Sequence, residues 1–132
     1  MTECIFCKIV KGEVPSYRVY EDDDYLAFLD IFPLNKGHTL VIPKKHERWV
    51  WDDKTPGKYF EATTKVAKAI NKAFTPERVM SVVLGEAVAH AHIWLVPKYP
   101  NDGHGNVINF SNRQKFSEED LKEAAEAIKR NL

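Results

Sequence analysis

From residue 56 to 74, apolar side chains at Tyr59, Phe60, Ala62, Val66, Ala67, Ala69, Ile70 and Phe74 fall close to the three- and four-residue spacing of an amphipathic helix, with Lys58, Lys65, Lys68 and Lys72 on its wet face. Elsewhere the pattern is that of strands. Runs rich in β-branched and aromatic residues at 17–20, 25–30 and 38–43 are separated by Asp22-Asp23-Asp24 and by a loop at 33–37. Two further strands are predicted at 79–84 and 88–96, with Gly85 turning the chain between them. A short helical turn is expected near Cys4 and Cys7, and Ser117-Glu118-Glu119-Asp120 offers a capping box for a polar helix ending near Leu132. Together these elements predict an α+β fold: an antiparallel sheet of about five strands, one long helix and a C-terminal helix. With 132 residues and no repeat or linker, a single domain over 1–132 is expected.

Composition narrows the function classes. The 19 basic residues are balanced by 19 acidic ones, so no net field draws the chain to duplex nucleic acid or to an anionic membrane. The nearly uncharged stretch 79–97 has the length of a membrane span, but Gly85, Glu86, His90 and His92 interrupt it and two strands fit better. The start Met1-Thr2-Glu3-Cys4 lacks the basic and apolar regions of a secretory leader, so a cytoplasmic location is expected. Both cysteines lie in Cys4-Ile5-Phe6-Cys7, open to reading as a metal clip, a redox pair or two unliganded thiols. No βαβ unit surrounds them, which disfavours the redox pair. With only one such pair in the chain, a zinc-ribbon adaptor is disfavoured too.

The segment 88–97 concentrates the chemistry. In a regular strand His90, His92 and Trp94 project from one face, and Ala91, Ile93 and Leu95 from the other. Two imidazoles on one surface suit catalysis or metal binding, and equally suit histidines that hydrogen-bond within a crowded site.

The run His90-Ala91-His92-Ile93-Trp94-Leu95-Val96 resembles the motif of the histidine triad (HIT) family of nucleotide hydrolases and transferases, His-φ-His-φ-His-φ-φ with φ apolar, with tryptophan at the third histidine. The blocks Cys4-Ile5-Phe6-Cys7-Lys8-Ile9, Phe28-Leu29-Asp30-Ile31-Phe32-Pro33 and Gly37-His38-Thr39-Leu40-Val41-Ile42-Pro43-Lys44-Lys45-His46 are similar to the family's bacterial branch, in the same order. The resemblance covers roughly residues 4–103, and the tail beyond adds little.

The resemblance implies a nucleotide substrate, such as a phosphoramidate or a dinucleoside polyphosphate. It makes His92 the nucleophile toward the α-phosphorus, forming a nucleotidyl-histidine, with His38 and His90 in the supporting network. Trp94 stands where the third histidine assists the leaving group; an indole N–H donates a hydrogen bond but exchanges no proton at neutral pH. Related hexose-1-phosphate uridylyltransferases carry glutamine there and still transfer nucleotides. Asp30 matches the acidic residue that accepts from the ribose hydroxyls, with Ile31 and Phe32 as walls for the base. The phosphate loop, Gly-Gln-Ser-Val in the family, reads Gly85-Glu86-Ala87-Val88: the serine hydroxyl is gone, and Glu86 would repel phosphate if it pointed inward.

The bacterial branch also implies structural zinc on Cys4, Cys7, His46 and His90, and a homodimer. Zinc ligation requires His90 to lie near a strand end or bulge, because a regular strand would aim it alongside His92. The competing class is a non-catalytic nucleotide-binding or scaffolding HIT protein, motivated by Trp94, Ala87 and a phosphate loop several residues shorter than the family's. Trp49 and Trp51 suit a base, a second subunit or a neighbouring element, and His104 is expected to be a solvated loop residue.

Overall fold

The computed structural model describes residues 4–132; Met1, Thr2 and Glu3, on which the reading of the chain start rests, lie outside the described residues. Strands β1 (Arg18–Glu21), β2 (Tyr25–Leu29), β3 (Thr39–Pro43), β4 (Arg78–Val82) and β5 (Ile93–Lys98) form one antiparallel sheet in the order β1-β2-β3-β5-β4. Three helices accompany it, α1 (Ile5–Lys11), α2 (Pro56–Phe74) and α3 (Glu118–Arg130), with a 3-10 turn at Val50–Asp52. This is the expected α+β arrangement. Among the described residues, no helix is long and apolar enough to cross a membrane.

The three central strands are buried along their whole length because both faces of the sheet are covered. On one face Ala27, Leu29, Val41, Ile93 and Leu95 belong to the same apolar cluster as Tyr59, Val66 and Ile70 of α2 and Leu121 and Ile128 of α3. Tyr59 fits this dry layer because its hydroxyl donates to the Val41 carbonyl at 2.7 Å while its ring stacks on Tyr25. On the opposite face Phe28, Leu40 and Trp94 cluster with Phe6 and Ile9 of α1. Alternation along β5 therefore separates Trp94 from Ile93 and Leu95, as the pattern predicts.

Local chemistry sets the helix ends. The Cys4 sulfur accepts from the Cys7 N–H at 3.3 Å, and Gly12, at φ 81°, closes α1 in a left-handed conformation that glycine adopts without strain. The predicted capping box is present: the Ser117 hydroxyl accepts from Asp120 N, and the Asp120 carboxylate accepts from Ser117 N.

Three expectations need correction. Phe60, placed on the apolar stripe, is 48% exposed; the buried stripe runs through Tyr59, Ala62, Thr63, Val66, Ala69 and Ile70. The last strand begins at Ile93 and not at 88, because the backbone before it bonds elsewhere: Ala91 N–H donates to the Glu47 carbonyl at 2.8 Å. His104 is buried, its Nε2–H donating to the Leu34 carbonyl and its Nδ1 accepting from Asn109 N.

The segment 101–116 is thus packed onto the body of the protein, and Asp102 anchors it. Its carboxylate pairs with buried Lys98 at 3.0 Å and accepts from Tyr99 N, His104 N and the Asn35 amide. Burial alone would raise this carboxyl, but the hydrogen bonds from Tyr99, Lys98, His104 and Asn35 outweigh it and hold the pKa well below the usual carboxylate range. Asp102→Asn is expected to cost about 2 kcal/mol in denaturant titration at pH 7. Because the folded pKa is depressed, the contribution is complete above the unfolded pKa of about 4 and is lost as pH falls through the folded value. The gap between variant and wild type should therefore narrow in acid.

Candidate functional site

His90 lies three residues before β5, clear of the strand, and is fully buried. Its Nε2–H donates to the Pro43 carbonyl at 2.8 Å, which leaves the lone pair on Nδ1. That atom lies 3.3 Å from the Cys4 sulfur, 3.6 Å from the Cys7 sulfur and 3.2 Å from Nδ1 of His46. His46 Nδ1 in turn lies 3.3 Å from the Cys7 sulfur. All four donor atoms fall within 4.8 Å of one another. A tetrahedral metal with two sulfur and two nitrogen ligands sets its donors roughly 3.3–3.8 Å apart, so the residues fit one. Burial, and then the neighbouring Cys4, raise the Cys7 thiol. Two thiolates at this spacing call for a cation between them.

The same residue directs the next histidine. His92 Nδ1–H donates to the backbone carbonyl of His90 at 2.7 Å, so its lone pair sits on Nε2. Burial, and further down the charge of Arg48, hold the His92 pKa below its ordinary value, and the ring is neutral at pH 7. Phe6 of α1 meets both rings edge-on, at 5.8 Å from His90 and 5.3 Å from His92. The geometry answers the requirement on His90: outside the regular strand, its side chain reaches the cysteines while its backbone carbonyl takes the Nδ1–H of His92.

The β2–β3 loop carries His38 and Asp30. His38 Nδ1 accepts from Leu34 N at 3.0 Å, so its proton sits on Nε2, a buried donor without a partner 3.8 Å from Asp30 Oδ2. Burial, then the charge of Arg113, push the His38 pKa down to about 3, so this is no ion pair at neutral pH. Asp30 Oδ1 accepts from Phe32 N at 2.8 Å, and Oδ2 from Arg113 at 3.3 Å. Burial raises the Asp30 pKa despite these donors. Trp94 is buried between His38, at 5.0 Å edge-on, and Phe110, at 5.9 Å, with the Arg113 guanidinium 5.2 Å from its ring centre.

The remaining predicted residues are distributed less tightly. Ile31 and Phe32 are 52% and 60% exposed beside Asp30. Gly85 is buried at φ +73°, where a Cβ would fall 2.7 Å from the Trp49 ring. Glu86 and Ala87 face solvent, and Val88 packs against the apolar cluster beneath Trp94. Two residues were not legible in the sequence. Arg113 lies in the tail beyond the blocks similar to the family, and no local pattern marks it. Arg48 had a signal, a cation between His46 and Trp49, but its approach to His92 depends on the Ala91–Glu47 hydrogen bond across the fold.

The family model for the HIT domain matches residues 11–101. Protein hit of Bacillus subtilis is 40% identical, with 98% of this chain and 94% of that protein covered. Adenosine 5'-monophosphoramidase hnt1 of Schizosaccharomyces pombe is 36% identical, covering 95% of each. Among solved structures, a zinc-bound histidine triad family protein from Mycobacterium smegmatis superposes with a TM-score of 0.80 at 28% identity, over 98% of this chain and 92% of that one. A domain match over most of the sheet, full-length similarity to such relatives and the histidine pair on the approach to β5 converge on one assignment: the chain belongs to the histidine triad family.

Proposed function

We propose that this protein is a nucleotide hydrolase or nucleotidyltransferase working through His92. The observation that carries the reading is the His92 tautomer: Nδ1–H is committed to the His90 carbonyl, which leaves Nε2 as a neutral nucleophile. The Nε2 lone pair forms a bond to the α-phosphorus as the bond to the leaving group breaks and that group departs with the electron pair. Water or another acceptor then breaks the phosphorus–nitrogen bond, losing its proton as the nucleotide is released.

Asp30 would take the ribose hydroxyls in exchange for Arg113, with Ile31 and Phe32 flanking the base and the turn at Gly85, Glu86, Ala87 and Val88 approaching the phosphate. His38 offers its unpartnered Nε2–H to the bound ligand. Family membership supports phosphoramidates and dinucleoside polyphosphates as substrates, the former in line with the fission-yeast relative's activity. It supports a homodimer as well, to which exposed Trp51 and Phe60 offer apolar surface. A second reading, nucleotide binding without turnover, draws on Trp94, which is walled in by His38 and Phe110 and has no proton to exchange.

Mass spectrometry after mixing with adenosine 5'-phosphoramidate decides between them. An acid-labile nucleotidyl adduct should form on the wild type and vanish in His92→Ala, whose turnover is lost while nucleotide affinity stays within about tenfold, roughly 1.4 kcal/mol. Full turnover in His92→Ala would end the covalent mechanism, and binding without adduct or turnover in the wild type would favour the second reading.

We assign the cluster of Cys4, Cys7, His46 and His90 to structural zinc, which would tie α1 to the segment bearing His92. Two sulfurs and two nitrogens form a donor set suited to zinc, and a solved family member from Mycobacterium smegmatis is zinc-bound. Metal analysis of protein purified without chelators should find about one zinc per chain. Cys7→Ser should lower both the metal content and the melting temperature. Wild-type protein that carries no metal and melts no higher than Cys7→Ser would exclude the site.

A further inference from the structure

The phosphate loop as this chain has it leaves a charge unanswered. Ala87 brings no hydroxyl, and Glu86 faces solvent, so neither side chain meets an anion at His92. Arg48 is placed to do so. The hydrogen bond from Ala91 N to the Glu47 carbonyl lays the stretch after His46 alongside the backbone that carries His92. The Arg48 guanidinium lies 3.7 Å from the Trp49 ring centre. Its Nη1 is buried with no hydrogen-bond partner, and no carboxylate among the described residues pairs with it. Trp49 in turn packs against Gly85, where a Cβ would lie 3.7 Å from that same nitrogen. The cation therefore sits at the junction of the Gly85 turn and the segment that carries His92.

A buried guanidinium N–H without an acceptor is costly, and in native structures such a group calls for an explanation. Here the stack on Trp49 holds the guanidinium against the turn at Gly85, beside the segment that carries His92. The planar guanidinium matches phosphate oxygens better than an ammonium does. We propose that Arg48 is the phosphate-binding residue of this site, donating from Nη1 to a non-bridging oxygen of a nucleoside 5'-phosphate held at His92. It replaces the hydroxyl that Ala87 lacks, and it directs the site to substrates whose transferred phosphorus carries a full negative charge. The inference rests on the nucleotide reading above.

Calorimetric titration of the metal-loaded chain with adenosine and with adenosine 5'-monophosphate, repeated with guanosine and its monophosphate, separates the two. The wild type should prefer monophosphate over nucleoside. Arg48→Gln should erase at least tenfold of that preference, about 1.4 kcal/mol, while nucleoside affinity and melting temperature hold. Arg48→Lys, which keeps the charge but not the fork, should recover part of it and serves as the folded comparison if the glutamine variant is unstable. A preference unchanged in both variants, or nucleoside and monophosphate affinities that fall together, would overturn the assignment and leave Arg48 as packing for Trp49. If the wild type binds none of the four ligands, the nucleotide reading itself fails and this inference with it.

Discussion

The hydrogen bond from His90 Nε2–H to the Pro43 carbonyl, 2.8 Å long, sets the direction of the groups around it. It turns the His90 lone pair toward the two cysteines and His46, and it holds the chain before β5 in a course where the His90 carbonyl takes the Nδ1–H of His92. One buried residue thereby orients a metal-type cluster with its side chain and the neighbouring imidazole with its backbone. Supporting groups of this kind commonly fix the tautomer of a functional histidine. Phe6 extends the coupling, since its ring touches both imidazoles from the helix that Cys4 caps.

The charge arrangement follows from the same loops. The chain has no net charge, yet two cations flank the histidines: Arg48 stacked on Trp49, and Arg113 bridging Asp30, the Phe32 carbonyl and the face of Trp94. Equal totals of acid and base exclude a long-range field but say nothing about where individual charges lie. His38 stays uncharged between Asp30 and Trp94 because burial prevails over a carboxylate that is itself occupied by Arg113.

Periodicity made the sheet and α2 legible because each buries one continuous stripe, and alternation put Trp94 on the face opposite Ile93 and Leu95. It failed at the start of β5, where alternation persists but the backbone donor of Ala91 goes to Glu47 and not to a neighbouring strand. The packing of the tail 101–116 is not legible for a different reason. It is held by individual bonds from Asp102, His104 and Gln114, which leave no repeating signature. The four residues of the metal cluster were legible only through the family resemblance, since an isolated cysteine pair leaves its partners open. Arg48 and Arg113 reach His92 and Asp30 across 44 or more residues of chain, a relation that spacing does not encode.

The proposed chemistry depends on the protonation of one ring. Nitrogen-15 NMR of histidine-labelled, metal-loaded protein at pH 7 reports which imidazole nitrogen carries the proton. His92 should be a neutral ring protonated at Nδ1, with the resonance of an unprotonated nitrogen at Nε2. A ring protonated at Nε2 would have no nucleophilic lone pair facing the site, and would contradict the link from His90 on which the proposed chemistry depends.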